Sequence, residues 1–145
     1  MKLYSFFRSG TSHRLRIALN LKGLAYEQIA VDLRREEHLG DAFKAINPQQ
    51  LVPVLEADER LMIQSPAIIE WLEERYPTPP LLPADAGDRA QVRALAATHC
   101  HLLASHFYAQ MMQDKVASTY LSHEQVHTRL HASMKTWMTG VFALE

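Results

Sequence analysis

The sequence contains a single cysteine, Cys100, among its 145 residues. One thiol cannot form an internal disulfide, and it cannot form the thiol pair of a dithiol redox motif. Any sulfur chemistry must therefore use a sulfur that a ligand supplies. A chain without disulfides that starts with strand-like residues, rather than with a cleavable leader, is expected to be cytoplasmic.

The chain also lacks an excess of charge, because 15 Lys and Arg stand against 16 Asp and Glu. The two signs are interspersed, so the sequence offers no basic field for nucleic acid and no polybasic patch for a membrane. No apolar run approaches the roughly 20 residues that a membrane span needs. Hydrophobic residues nevertheless make up 48% of the chain, which predicts a globular protein with a real core and with neither of these partners.

The first 80 residues alternate between strand and helix patterns. The periodicity predicts strands at 2–7 and 26–31, helices at 11–22 and 39–46, a hairpin with strands at 52–56 and 61–63, and a last helix that Ser65 caps and Tyr76-Pro77 ends. This βαβαββα order is typical of the α/β thioredoxin-like fold, in which the ligand lies at the N-terminus of the first helix.

The remaining residues predict an all-α segment. Residues 77–88 hold four of the seven prolines and are predicted to link two units. After this linker the apolar period is only helical, and one helical stripe is predicted to contain Val92, Leu95, His99, Leu102, Leu103 and His106.

A second helix is predicted after a possible capping box formed by Ser122 and Gln125. Its residues His123, His127 and His131 lie on one face, which would permit a weak metal site. A solvated polar face explains the same spacing and is preferred, so no metal site is predicted.

The turn before the first helix is rich in hydroxyl groups. Thioredoxins carry Cys-x-x-Cys there, whereas this chain has Ser9-Gly10-Thr11-Ser12, which excludes dithiol exchange. A hydroxyl at a helix N-terminus, together with free backbone N–H groups and the helix dipole, can stabilise a bound thiolate. The alternative is that these hydroxyl groups only cap the helix.

Two further stretches have a possible binding role. A cis bond between Val52 and Pro53 would orient the Val52 backbone toward a peptide-like ligand, whereas an ordinary proline would only start the strand. The helix N-terminus at Gln64-Ser65 suits a carboxylate, or it is simply capped. His38, before the second helix, is by itself expected to be solvated.

Three stretches carry a family resemblance: FFRSGTSHRLRIALNLKG, NPQQLVPVLE and QSPAIIEWLEERYPTPPLLP. In this order and at these separations they resemble the N-terminal domain of a glutathione transferase, especially of the zeta class, which includes maleylacetoacetate and maleylpyruvate isomerases. The resemblance covers about residues 1–97. It implies a thioredoxin-like, glutathione-binding domain at residues 1–80 and a helical C-terminal domain at residues 87–145.

The resemblance also implies roles for individual residues. Ser9 matches the serine that contacts the sulfur of glutathione, Arg8 matches the arginine before it, and Thr11 stands where many relatives carry cysteine. These three are the predicted catalytic residues. The positions that bind glutathione are predicted to be Ser9, His38 for the glycine end, Val52 and Pro53 for the cysteinyl part, and Gln64 and Ser65 for the γ-glutamyl end.

The implied function is glutathione-dependent isomerisation of maleyl compounds, in the breakdown of aromatic compounds, by a cytoplasmic homodimer. The thiolate, which Ser9 and the helix dipole stabilise, would add to the cis double bond and leave after rotation, giving the fumaryl product. Arg8 would fix the carboxylates of maleylacetoacetate or maleylpyruvate, whereas Arg14 is interpreted as a surface arginine.

Two alternatives stay open. General glutathione transfer or dehalogenation would use the same thiolate. Family members have a much longer second domain, and the family's His-Pro pattern does not follow Ala97, so the chain is expected to be truncated. A truncated module that binds glutathione without turnover is therefore the third interpretation.

Overall fold

The computed structural model describes residues 1–113 and residue 132, and it divides the chain into two units, Met1–Leu81 and Leu82–Glu145. The elements, in chain order, are β1 (Lys2–Ser5), α1 (Gly10–Leu21), β2 (Glu27–Ala30), two 3-10 turns (Leu33–Arg35 and Glu37–Leu39), α2 (Asp41–Ile46), β3 (Val54–Ala57), β4 (Arg60–Ile63), α3 (Ser65–Arg75) and α4 (Ala86–Gln113). The predicted βαβαββα order of the first unit is confirmed, and its fold is thioredoxin-like.

The four strands form one mixed sheet in the order β2-β1-β3-β4. β1 pairs with β2 in parallel and with β3 antiparallel, and β3 pairs with β4 in the predicted hairpin. The hairpin turns through Asp58 and Glu59, which both have positive φ, at 48° and 60°. Two such residues form the turn whose twist matches that of the flanking strands.

Helices cover both faces of the sheet because side chains alternate along each strand. On one face, Leu3 and Leu55 pack in a fully buried cluster with residues of α1 and α3, namely Leu15, Leu19, Ile68 and Leu72. On the other face, Val54 packs with Phe43 of α2 and with Val31. Core packing therefore fixes α1 and α3 on one face of the sheet and α2 on the other.

Several predicted boundaries differ from the structure. β1 ends at Ser5 rather than at residue 7, and α2 begins at Asp41 because Gly40, in extended conformation, separates it from the preceding 3-10 turn. Ser65 was predicted to cap α3, but the cap is Gln64, in the left-handed region at φ 68°. Ser65 is instead the first helical residue, so its hydroxyl group is not a cap.

In the second unit, α4 begins inside the predicted linker because Asp85 accepts a hydrogen bond from the Asp88 N–H at 2.9 Å. Leu95 and Leu102 of the predicted stripe are 59% and 56% exposed, so these two positions lie off the buried face. Apolar periodicity gives most weight to large side chains, whereas small ones are often buried. Among the side chains of α4 that the structure describes, the buried ones are Ala96, Cys100, Ala104 and Tyr108, which recur at every fourth residue.

The predicted second helix of this unit, with Ser122 and Gln125, lies outside the described residues, as do His123, His127 and His131. Among the helices that the structure does describe, none has the length and apolar character needed to span a membrane.

A buried ammonium fastens the end of the first unit to α1. The Lys22 side chain is fully buried, and its Nζ lies 2.5 Å from a carboxylate oxygen of Glu73. Nζ also donates to the carbonyl oxygens of Tyr76 at 2.7 Å and Pro79 at 3.1 Å. All three ammonium donors are thus used. Glu73 in turn accepts the N–H of Leu81 at 3.0 Å, so one cluster holds the chain after α3.

We expect Lys22→Met to lower the free energy of unfolding by about 2–4 kcal/mol, because it leaves a partly buried carboxylate and two carbonyls without their donor. Urea denaturation followed by circular dichroism measures this loss. The matched control is Lys2→Met, which breaks the exposed Lys2–Glu56 pair of 3.0 Å and is expected to change the stability far less, because solvent screens an exposed ion pair. Equal losses in the two variants would contradict the assigned role of Lys22.

Candidate functional site

The register of the sheet brings four chain segments to one edge. Tyr4 pairs with Val54, and Val54 pairs with Ile63, so the end of β1, the start of β3 and the end of β4 share one rung. Ser5 pairs with Ala30 in parallel, so β2 ends there too. The turn after β1, the loop before β3, the start of α3 and the segment after β2 therefore lie together.

The order of these segments along the edge follows the strand order. His38 belongs to the segment after β2, Ser9 follows β1, Val52 precedes β3, and Ser65 follows β4. Four neighbouring strands span about 14 Å at about 4.8 Å per gap. An extended tripeptide is about 10 Å long. The edge thus has the length needed to contact three successive residues of a bound peptide.

Ser9 caps α1. Its backbone is extended, and its Oγ accepts a hydrogen bond from the Ser12 N–H at 3.2 Å. The prediction that a hydroxyl group caps this helix is therefore confirmed for Ser9. By their position in the first turn, the N–H groups of Gly10 and Thr11 have no acceptor within the helix. With the helix dipole, they favour an anion beside the Ser9 hydroxyl.

Thr11 does not cap the helix but connects it to the loop before β3. Its Oγ1 lies 2.9 Å from the Ser9 Oγ and donates to the carbonyl oxygen of Val52 at 3.1 Å. This contact joins residues 41 positions apart, and nothing in the local pattern predicted it.

The Val52–Pro53 peptide bond is cis, which is the conformation that a ligand-binding role of Val52 required. Among the described residues, no acceptor is found for the Val52 N–H. The preceding loop is held by Asn47, which is 1% exposed and donates to the Leu51 carbonyl oxygen at 2.8 Å. The sequence predicts that the helix at 39–46 ends before Asn47-Pro48, but not that the Asn47 side chain holds this loop.

At the start of α3, Ser65 and Gln64 differ in their contacts. The Ser65 side chain is buried, and its Oγ has no hydrogen-bond partner among the described residues. The exposed Gln64 donates through its amide to the Gln49 Oε1 at 2.9 Å. A buried hydroxyl without a partner is costly, and a carboxylate at this helix N-terminus would supply one.

His38 lies in the second 3-10 turn and is half-buried rather than solvated. Its Nδ1 is buried without a hydrogen-bond partner among the described residues. The His38 ring is therefore not fully solvated, in contrast to the expectation for a lone surface histidine.

The arginines near α1 differ in their burial. Arg8 is exposed, as a residue that binds substrate carboxylates needs to be. Arg14 is half-buried, and burial lowers its pKa to about 10, so its interpretation as a surface arginine is wrong. Arg16 donates to the carbonyl oxygen of Phe7 at 3.2 Å and thereby holds the turn before Ser9.

An aromatic pair beside the turn was also missed by sequence reasoning. Phe6 and Phe7 meet edge to face at 4.8 Å, and Phe7 is 59% exposed. The Arg34 guanidinium lies 5.9 Å and 5.6 Å from the two ring centres, and Asp32 holds it through hydrogen bonds of 2.8 and 3.0 Å. Arg34 keeps the pKa of the Asp32 carboxyl low, at about 2. The exposed Phe7 ring, which precedes Arg8 in the chain, is thus held in place by its contacts with Phe6 and Arg34.

Together these groups can bind an extended peptide and an anion. The Val52 backbone offers peptide pairing, the start of α3 accepts a carboxylate, and the start of α1 favours a negative sulfur or oxygen beside Ser9. All of the predicted site residues Arg8, Ser9, Thr11, His38, Val52, Pro53, Gln64 and Ser65 belong to the four segments at this edge.

Comparison with known proteins matches residues 3–80 to the family model of the glutathione S-transferase N-terminal domain. The chain is 74% identical over 97 residues to a maleylpyruvate isomerase from Ralstonia, covering 67% of this chain and 46% of that protein. It is 56% identical over 100 residues to a maleylacetoacetate isomerase from Pseudomonas aeruginosa, covering 67% and 47%. The chain spans about half the length of these curated relatives.

Solved structures give the same result. A zeta-class maleylpyruvate isomerase in its holo form superimposes with a TM-score of 0.63 at 56% identity, over 87% of this chain and 59% of that one. A maleylacetoacetate isomerase from Methylobacterium extorquens AM1, with bound malonate and glutathione, gives a TM-score of 0.61 at 33% identity, over 95% and 61%.

We expect Asp32→Asn to remove an acid-dependent part of the stability, because Asn can still cap the 3-10 turn but carries no charge for Arg34. A folded-state pKa of about 2 lies below the ordinary 3.8, so the charged carboxylate stabilises the fold above pH 3.8. That contribution is lost as the pH falls toward about 2. Above pH 3.8 the urea midpoint of the wild type should exceed that of Asp32→Asn by a constant amount. This difference should disappear as the pH falls from 3.8 to about 2. A pH-independent difference between the two proteins would contradict the assignment.

Proposed function

This chain belongs to the glutathione S-transferase family, and from that premise we propose that it binds glutathione along the sheet edge and isomerises maleyl compounds to their fumaryl forms. The order of the four segments along the edge supports the proposal. From His38 through Ser9 and Val52 to Ser65, it matches the order of the glycine, cysteine and γ-glutamyl groups in the tripeptide. In this arrangement Ser65 and Gln64 bind the γ-glutamyl carboxylate, Val52 pairs with the cysteinyl part, and His38 contacts the glycine end.

The residues present fit glutathione on an observation independent of the relatives' names. The Ser65 hydroxyl is buried without a partner, and the Val52 N–H lacks an acceptor among the described residues. A γ-glutamyl carboxylate and a cysteinyl carbonyl satisfy these two groups.

Bound glutathione supplies the thiolate that adds to the cis double bond and leaves after rotation about the resulting single bond. Ser9 donates a hydrogen bond to this sulfur, and the start of α1 lowers the cost of its charge. Arg8 binds a substrate carboxylate and holds the maleyl compound beside the sulfur. Thr11 acts through Ser9.

We assign residues 1–80 to glutathione binding and residues 87–145 to a helical domain, in a homodimer that acts in the cytoplasm. The family resemblance supports the dimer, and the single cysteine, Cys100, suits a reducing compartment. General transfer or dehalogenation by the same thiolate would use the same site residues.

A second candidate is a module that binds glutathione without turnover. It would use the same residues Ser9, Val52 and Ser65, because both candidates bind glutathione at the same edge. Maleylpyruvate conversion, measured by absorbance with and without glutathione, separates the two. Conversion that requires glutathione supports the isomerase, whereas calorimetric binding without conversion supports the module. Absence of binding would refute both.

We expect Ser9→Ala to lower kcat/KM about 10- to 100-fold, because the thiolate loses a charge-assisted hydrogen bond. The pKa of the bound thiol should rise together with the loss of rate. Ser5→Ala is the matched control: the Ser5 hydroxyl is buried in β1 and has no hydrogen-bond partner among the described residues. If Ser9→Ala kept wild-type rates, Ser9 would not be the residue that contacts the sulfur.

We expect Ser65→Ala to change binding and stability in opposite directions. It removes a buried hydroxyl without a partner, so the free protein should gain about 1 kcal/mol of stability. Glutathione should bind about tenfold more weakly, because its carboxylate loses a hydrogen bond. Thermal melting and calorimetry measure the two effects. A variant that loses stability and keeps its affinity would contradict the assigned contact.

A further inference from the structure

Three oxygens form a hydrogen-bonded chain whose direction is fixed. The carbonyl oxygen of Val52 can only accept, so the Thr11 hydroxyl must donate its one proton to it, at 3.1 Å. Thr11 Oγ1 therefore has to accept in its 2.9 Å contact with Ser9 Oγ. It follows that the Ser9 hydroxyl donates to Thr11.

This direction matters for the chemistry of Ser9. Its Oγ already accepts from the Ser12 N–H at 3.2 Å, and its single proton points to Thr11. In this state the Ser9 hydroxyl has no proton to offer to a sulfur anion. The hydroxyl has to rotate before Ser9 can stabilise a thiolate.

A peptide that pairs with the Val52 backbone changes the hydrogen bond between the Thr11 hydroxyl and the Val52 carbonyl oxygen. On the proposed function, which this inference presupposes, the cysteinyl N–H of glutathione would donate to the Val52 carbonyl oxygen. This oxygen has two lone pairs, but a carbonyl that accepts from two donors holds each less strongly, so the bond from Thr11 weakens. The Thr11 side chain is exposed, so its hydroxyl can rotate without repacking. Turned toward Ser9, it becomes a donor to the Ser9 Oγ.

We propose that Thr11 is a positioning residue that links occupancy of the Val52 carbonyl to the direction of the Ser9 proton. In the free protein the order of donation is Ser9 to Thr11 to Val52. When the peptide N–H takes the Val52 oxygen, the order reverses to Thr11, Ser9 and the sulfur. Only two hydroxyl rotations occur, and no proton is transferred.

The reversed chain satisfies every member. Ser9 Oγ then accepts from Thr11 and from the Ser12 N–H and donates to the sulfur, which uses its full hydrogen-bonding capacity. Successive hydroxyl groups polarise one another, so Ser9 donates more strongly than it would alone. A thiol without a peptide N–H at this place leaves Thr11 on Val52 and is not activated.

The test compares Thr11→Val, which keeps the shape and removes the hydroxyl, with Thr11→Ser, which keeps the hydroxyl. The pKa of the bound glutathione thiol is obtained from the thiolate's ultraviolet absorbance as a function of pH. We expect Thr11→Val to raise this pKa by about one. At a given pH below the pKa, the fraction of thiolate would then be about tenfold smaller. Thr11→Ser should restore the wild-type value. An unchanged or lower pKa in Thr11→Val would overturn the inference.

A second measurement uses the wild-type chain and a glutathione analogue in which an ester oxygen replaces the cysteinyl N–H. We expect the thiol pKa of the bound analogue to be higher than that of bound glutathione, and we expect this difference to disappear in Thr11→Val. Equal pKa values for the two ligands in the wild type would overturn the inference even if Thr11→Val failed to fold.

The outcomes separate this inference from the proposed function. If calorimetry detects no binding of glutathione to the wild type, the proposed function fails and the inference fails with it. If glutathione binds with a lowered thiol pKa that neither Thr11→Val nor the ester analogue changes, only the inference fails.

Discussion

The candidate site depends on the pairing of β3 with both of its neighbours. β3 runs antiparallel to β1 and to β4, so its first residue, Val54, pairs with Tyr4 near the end of β1 and with Ile63 at the end of β4. A slip of one residue would turn the side chains of β3 to opposite faces. The buried pair Val54 and Leu55, which face different helices, fixes the register. Core packing thereby determines where the loop before β3 meets the start of α1.

Around this edge, several polar groups are held and others are left without partners. Asn47 and Arg16 satisfy the backbone of the two loops, and the Lys22–Glu73 cluster fixes the chain beyond α3. Ser65, in contrast, has a buried hydroxyl without a partner among the described residues. Since buried polar groups in folded proteins are nearly always paired, such a group at a helix N-terminus is consistent with a binding site.

Some features followed from local sequence because local chemistry creates them. Short runs of apolar, aromatic and β-branched residues predict the strands, Gly23 follows the end of α1 as predicted, and the Ser9 hydroxyl caps that helix. The face of α4 was mispredicted because Leu95 and Leu102 dominate its apolar period while the small Ala96 and Cys100 are buried. The cap of α3 lies one residue earlier than predicted, at Gln64, whose positive φ of 68° residue preferences do not predict.

The sequence by itself determined the order of elements, the hydroxyl-rich start of α1 and the family resemblance, because each is written in neighbouring residues. The tertiary structure alone decided that Thr11 contacts Val52, that Arg34 lies over Phe7 and that Lys22 reaches Pro79. These contacts join residues far apart in the chain. Their geometry depends on strand register and core packing, which bring distant segments to the same place.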